Sequence, residues 1–193
     1  MLRPLYDWTM RLAEGPRAIR ALGAISFAES SFFPIPPDVV LVPVVLANRD
    51  KAFQIAAWCT LTSVLGGIFG YLIGALLYDS VGQWLISLYG YEDKMEAFRA
   101  AYRDWGAWII LIKGLTPIPF KIVTIASGFA GYNIFWFVVL CTLTRGARFF
   151  LVAGILHRYG EPLKALMEKH LGLFAAGFGV LIVAGFIVAK YAV

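Results

Sequence analysis

Long apolar stretches, broken at a few points by proline and charge, dominate this chain. Residues 53–78 hold no Asp, Glu, Lys or Arg. As α-helix they extend about 39 Å, enough to cross a bilayer with tilt. Residues 134–156 are a second stretch of spanning length, interrupted only by Arg145 and Arg148. Residues 171–189 are a third, uncharged and ending at Lys190. Two further apolar stretches do not read as straight spans. Residues 21–47 contain Glu29, Pro34, Pro36, Pro37, Asp38 and Pro43. Each proline removes a backbone donor and clashes with the preceding turn. The pattern predicts a helix–break–helix hairpin that enters the bilayer and returns, its irregular backbone buried in protein or facing a wet cavity. Residues 106–130, with Lys113, Pro117, Pro119 and Lys121, predict a second. Pro34, Pro36, Pro117 and Pro119 mark the two breaks.

Two more polar segments have one apolar face. Leu5, Trp8 and Leu12 fall at helical spacing among the arginines of residues 1–20. Met95, Phe98, Tyr102 and Trp105 do the same within residues 79–105. Both predict helices lying at the membrane interface. The expected fold class is therefore an all-α membrane protein in a single polytopic domain. It comprises a first repeat over about 21–78, a second over about 106–156, and a C-terminal span over about 171–190. With two re-entrant hairpins there are about three spanning helices.

Composition sharpens this reading. Hydrophobic residues make up 60% of the chain and charged residues 15%, against about 45–50% and about 25% in soluble domains. An ordinary soluble enzyme, a disordered tail and a disulfide scaffold are excluded. Cys59 and Cys141 sit deep in apolar runs and read as small buried hydrophobes. No CxxC or HExxH pattern occurs, so neither a metal nor another cofactor is expected. His157 and His170 read as solvated loop residues. The N-terminus lacks the apolar core of a signal peptide and is expected to be retained. The net charge of +5 raises the question of nucleic acid. The basic residues flank or interrupt apolar runs, so nucleic acid is not an expected partner.

The hairpin-then-span order occurs twice. Pro34-Ile35-Pro36 returns as Pro117-Ile118-Pro119, and Cys59-Thr60-Leu61-Thr62 returns as Cys141-Thr142-Leu143-Thr144. One full span separates the copies, so the second hairpin must enter from the opposite face. The repeat is then inverted, with a site near the midplane where the broken helices meet. Gly66, Gly70 and Gly74 recur every fourth residue and make a flat stripe for close helix approach, within one chain or in a homo-oligomer. The side bearing residues 1–20 collects more Lys and Arg than the other, which favours a cytoplasmic N-terminus in a bacterial inner membrane.

Six ionisable residues fall inside the apolar segments: Glu29, Asp38, Lys113, Lys121, Arg145 and Arg148. Burial of such groups is costly and marks function by default. The acids lie in the first copy and the bases in the second. Aligning the two CTLT motifs sets Arg145 opposite Ser63 and Arg148 opposite Gly66. Arg145 and Arg148 share one helix face, and Lys113 and Lys121 bracket the second break. Four cations beside freed backbone N–H groups suit an anionic headgroup, most naturally a phosphate. Arg offers bidentate contacts and Lys a point charge. Glu29 and Asp38 are candidates for proton or ion coupling, or for pairing with these bases.

The segments FAESSFFPIPPDVVL, KGLTPIPFKIVTIASGFAGYNIFWF and TRGARFFLVAG resemble the DedA family, also called the SNARE-associated or VTT domain family. The resemblance covers roughly residues 20–160. It implies two re-entrant hairpins in inverted repeat and movement of lipids between leaflets. Bacterial members are linked to undecaprenyl phosphate recycling and to envelope homeostasis that depends on the proton motive force. Eukaryotic relatives look like phospholipid scramblases. By motif, Glu29 and Asp38 match the family's essential acidic pair, and Lys113 and Lys121 its two hairpin arginines. The usual Arg-Phe-x-Pro-Gly-x-Arg is here Lys-bounded, with a PIP core and two extra residues. Arg145 and Arg148 are placed to supply the missing guanidinium fork.

The expected function is a flippase or scramblase for an anionic lipid such as undecaprenyl phosphate or a phospholipid, with membrane lipids and protons as partners. A proton-coupled transporter of a small solute or oxyanion uses the same cations. A structural or assembly protein of the membrane is a third reading. An enzyme acting on lipid phosphates is the weakest, because the deep segments offer no His and two acids alone make a poor metal site.

Overall fold

The structure, a computed structural model, describes residue 13 and residues 15–32, 36–115 and 120–169. The side chains of Pro16, Lys113, Leu115 and residues 163–169 also lie outside the description. Among the described residues it is all-helical. Pro34, Pro117, Pro119, His170, most of the expected N-terminal interfacial helix and the expected span over 171–190 fall outside the described residues.

The first broken stretch forms α1 (Pro16–Ser31) and α2 (Asp38–Ala47). Pro16 opens α1 at a position where its missing N–H costs nothing. Pro36 lies in the break between the helices. Asn48, just past α2, donates from Nδ2 to the Ala13 carbonyl at 3.0 Å. The chain has therefore doubled back to the level where α1 began.

A short 3-10 turn (Arg49–Lys51) leads into α3 (Ala52–Leu77). The helix runs on through a π turn (Tyr78–Gly82) into α4 (Gln83–Tyr89). Gly90 ends it in the left-handed conformation, and the Tyr91 N–H reaches back to the Ile86 carbonyl at 2.9 Å.

Here the structure departs from the expected single interfacial helix over 79–105. Residues 83–89 extend the first span, and α5 (Glu92–Leu115) is one helix. It joins the polar, amphipathic segment to the first arm of the second broken stretch. No proline or glycine pair stands between the two parts, so nothing in the sequence stops the helix before the Pro117 region.

After the second break come α6 (Phe120–Ala130) and α7 (Ile134–Lys169). Gly131, also left-handed, closes α6. Asn133 opens α7, its Oδ1 accepting from the backbone N–H groups of Phe135 at 3.0 Å and Trp136 at 3.2 Å. Tyr159 leaves helical geometry inside α7, next to the helix-breaking Pro162. His157 belongs to this helix and not to a loop. Its Nδ1 lies 3.0 Å from the Arg49 carbonyl.

The long helices α3 and α7 lie antiparallel. Phe53 stacks near Phe150, Ser63 meets Arg145 and Tyr71 meets Phe137. Helix α1 runs parallel to α3: Ser26 reaches the Cys59 carbonyl at 3.0 Å, and Ser30 lies 2.7 Å from Ser63, each 33 residues apart. Helix α5 runs parallel to α7, with Gly106 beside Tyr132, in the turn just before α7, and Gly114 beside Thr144 of α7. The glycine stripe is occupied within the chain. A Cβ on Gly66 would collide with the Phe27 carbonyl of α1, and one on Gly74 with the Ile125 carbonyl of α6.

Two apolar cores result. One joins α1, α2, the first half of α3 and the second half of α7, around Leu41, Ile55, Cys59 and Phe149. The other joins α5, α6, the second half of α3 and the first half of α7, around Ile110, Phe120, Phe137 and Cys141. Both cysteines are free and buried.

Two helical stretches, Arg49–Tyr89 and Ile134–Pro162, are long and apolar enough to cross a membrane. Only 39% and 33% of their most apolar windows are buried. Their outer faces nevertheless carry Leu61, Leu65, Phe69, Leu72 and Leu76 on α3, and Leu143, Leu151 and Ile155 on α7. A water-facing helix of a soluble protein puts polar residues there. Both spans therefore fit association with a membrane.

Candidate functional site

Between the two cores lies a polar layer, built where the breaks approach α3 and α7. Its centre is Arg145 of α7, with 2% of its side chain exposed. A guanidinium so enclosed must find a partner for its charge. It forms an ion pair with Glu29 of α1, itself 8% exposed. Nε donates to Ser63 Oγ of α3 at 2.7 Å, and Nη2 also lies 3.5 Å from Ser30 Oγ. The rings of Phe120 and Phe149 flank the cation at 4.8 and 5.1 Å.

Glu29 has a second role. Its Oε1 accepts from the backbone N–H of Phe120 at 3.1 Å. Phe120 is the first residue of α6, so a carboxylate of α1, from the first broken stretch, caps the positive end of a helix from the second. The reverse contact is also made. Lys121 Nζ donates to the Phe32 carbonyl at 3.3 Å, where α1 ends. A cation at the negative end of α1 thus faces a carboxylate at the positive end of α6. Thr124 Oγ1, 2.9 Å from the Ser30 carbonyl, ties the same helices together.

A second ion pair joins Asp38, in the first turn of α2, to Arg148 of α7. It is more open, with side-chain exposures of 24% for Arg148 and 19% for Asp38. Arg145 and Arg148 share a face of α7, as their spacing predicts, and each meets an acid of the first broken stretch. Lys113 lies in the last turn of α5; its side chain is outside the described residues. Among the described residues, no group of three His, Cys, Asp or Glu side chains stands close enough to hold a metal ion.

The sequence reading singled out Glu29, Asp38, Lys121, Arg145 and Arg148, and the structure gathers them around the breaks. It did not single out Ser30, Ser63, Thr124 or the Phe120 amide. One signal for Ser63 was present: the repeat alignment sets it opposite Arg145, and the two residues touch.

Two known proteins align over nearly the whole chain. An uncharacterized protein of Haemophilus influenzae is 33% identical over 186 residues, 96% of each chain. The uncharacterized protein HI0703 homolog of Histophilus somni is 33% identical over 180 residues, 93% of each. No family model matches the chain, and no solved structure matches it.

Proposed function

The chain belongs to the family of these Haemophilus influenzae and Histophilus somni proteins, and we propose that it is an integral membrane transporter moving an anionic lipid between leaflets. The observation that carries this reading is the polar layer at the two breaks, enclosed between helices whose outer faces are apolar. A polar layer at mid-height between the two cores gives a headgroup a station between the leaflets while its acyl tails stay in the bilayer, so no wide aqueous channel is needed. Undecaprenyl phosphate and phospholipids are the candidate cargo, and flippase and scramblase are the two modes.

The architecture proposed is that of the DedA family: two re-entrant hairpins in inverted repeat. Helix α1 lies along α3 as α5 lies along α7, and α6 packs on α3 as α2 packs on α7. Residues equivalent in two repeats touch only near the two-fold axis, and Ser63 touches Arg145. These correspondences support inversion. The bacterial inner membrane is the proposed location, with the N-terminus cytoplasmic by the distribution of Lys and Arg.

Arg148 and Lys121 are the proposed headgroup contacts. A phosphate and the Asp38 carboxylate compete for the same fork on Arg148. Protonation of Asp38 removes one competitor and lets the phosphate take its place, which couples a proton to the lipid. Arg145 and Glu29 hold the two breaks in register beneath this exchange.

The test is lipid movement in proteoliposomes, with labelled phospholipid and polyprenyl phosphate, with and without a pH gradient. Movement by the wild-type chain and its loss in a folded Lys121→Ala variant is the expected result. Absence of movement of either lipid by folded protein rejects the reading. A second reading, that the chain is structural, draws on the internal pairing of Arg145 and Arg148. It predicts that charge substitutions lower abundance and change nothing else.

A further inference from the structure

About 15 Å along α6 from the polar layer, at the Ala130 end, lies a cavity of about 570 Å³. Its walls come from α5 and from the turn that joins α6 to α7. Arg99, Tyr102 and Arg103 line one side, and Tyr132, Asn133 and Trp136 the other. The size suits a small-molecule or headgroup site.

The charges are the informative feature. Arg99 and Arg103 are four residues apart on α5, so they share a face, and like charges so placed repel. Neither has a carboxylate at ion-pair distance among the described residues. Arg99 packs over the Tyr78 ring at 4.0 Å, and its buried Nε has no hydrogen-bond partner. A buried donor left without a partner is costly. The opposite wall adds to the positive potential. Asn133 spends its Oδ1 on the backbone N–H groups that open α7, which leaves its amide nitrogen as a donor, and the positive end of this long helix lies at the cavity. Burial pushes the Tyr132 phenol up, which keeps it a neutral O–H donor. The site thus offers several donors and two cations without a lining carboxylate. Exposed Trp105 and Trp136 stand near it, as aromatic residues do at a bilayer interface.

We propose that this cavity is a second anion site, distinct from the polar layer, which takes a phosphate oxyanion either on a lipid headgroup or free in solution, with Arg99 and Arg103 as its clamp. It stands on its own residues and does not require that the chain move lipid.

The test is calorimetric titration of the full chain in neutral detergent with three probes: inorganic phosphate, short-chain phosphatidic acid, and short-chain phosphatidylcholine as a zwitterionic control. Saturable binding of phosphate or phosphatidic acid is expected, weakened about tenfold or more in Arg99→Gln/Arg103→Gln and partly rescued in Arg99→Lys/Arg103→Lys. Phosphatidic acid bound with inorganic phosphate silent assigns the site to a lipid headgroup; equal binding of both assigns it to free phosphate. The single Arg103→Gln variant changes an exposed side chain and carries the test if the double variant fails to fold. The proposal is overturned if folded protein binds neither anion. Binding that survives the arginine substitutions but is lost in Lys121→Ala overturns it too, because the anion then sits in the polar layer.

Discussion

The chain contains two acid–arginine pairs that join the same elements, a broken helical stretch and α7, yet their surroundings are opposite. Glu29 and Arg145 are closed in by Ser30, Ser63, the Phe120 amide and two phenyl rings. Asp38 and Arg148 retain 19% and 24% of their side-chain surface. A buried pair whose remaining donors and acceptors are satisfied has little to gain from a ligand and much to lose from disruption. A pair at the edge of the layer can trade its carboxylate for another anion at lower cost, since less of its charge is enclosed. The comparison divides the layer into a closed part and a more open part, which under the proposed function are a fixed part and an exchangeable part. It places the proposed headgroup at Arg148 rather than at Arg145.

The largest expected effect is at the closed pair. Arg145→Gln leaves Glu29 buried without its cation, and Glu29→Gln leaves the guanidinium so. Either substitution is expected to cost about 3–5 kcal/mol of unfolding free energy, read by chemical denaturation in detergent. The double variant Glu29→Gln/Arg145→Gln removes both charges and is expected to cost less than the sum of the singles. Additive costs would show that the pair does not act as a unit.

How far this division was legible from sequence depends on the residue. Helix–break–helix order follows from proline chemistry alone, and the breaks lie where Pro34–Pro37 and Pro117–Pro119 interrupt apolar sequence. The buried charges stand out because an apolar run has no other use for them. Their partners do not. Glu29 is 116 residues from Arg145 and Asp38 is 110 from Arg148, and helical spacing gives a face but not the neighbour across it. Ser30, Ser63 and Thr124 look like ordinary small residues of membrane helices; only the docking of α1 and α6 onto α3 makes the two serines ligands of the charges and Thr124 a tie between α1 and α6. The unbroken α5 was illegible for the opposite reason. A change from polar to apolar composition resembles a boundary, but a helix stops only where its backbone must stop. The Arg99–Arg103 cavity was hidden as well, since its second wall is the turn after α6.

An intermediate effect sharpens the contrast from the side of packing. Gly66 allows the α1 backbone to lie directly on α3, one turn from the Ser30–Ser63 contact. A methyl group there meets the Phe27 backbone, which cannot rotate away as a side chain could. Gly66→Ala is therefore expected to separate the helices and cost about 1–3 kcal/mol. It would also loosen the serine wall of the closed pair. Faster hydrogen exchange of α1 amides, with those of α2 unchanged, is the expected signature. Equal exchange in both helices would mean that α1 and α2 move as one body.

The smallest stability effect is expected at the open pair, and there the functional consequence is largest. Asp38→Asn keeps the shape and first-turn position of the side chain but removes its charge. Arg148 remains near the edge of the layer, where less of its charge is enclosed than at Arg145. The expected cost is about 1 kcal/mol or less, against several for Glu29→Gln, when both are measured in the same detergent. In proteoliposomes the same variant lacks both one competitor for Arg148 and the group proposed to carry the proton. Lipid movement should then persist while its response to a pH gradient disappears. Retention of that response in Asp38→Asn would remove Asp38 from the coupling role and leave Glu29 as the acid to test. A stability loss as large as that of Glu29→Gln would show instead that the two pairs are equally fixed, and the exchange proposed at Arg148 would have no physical basis.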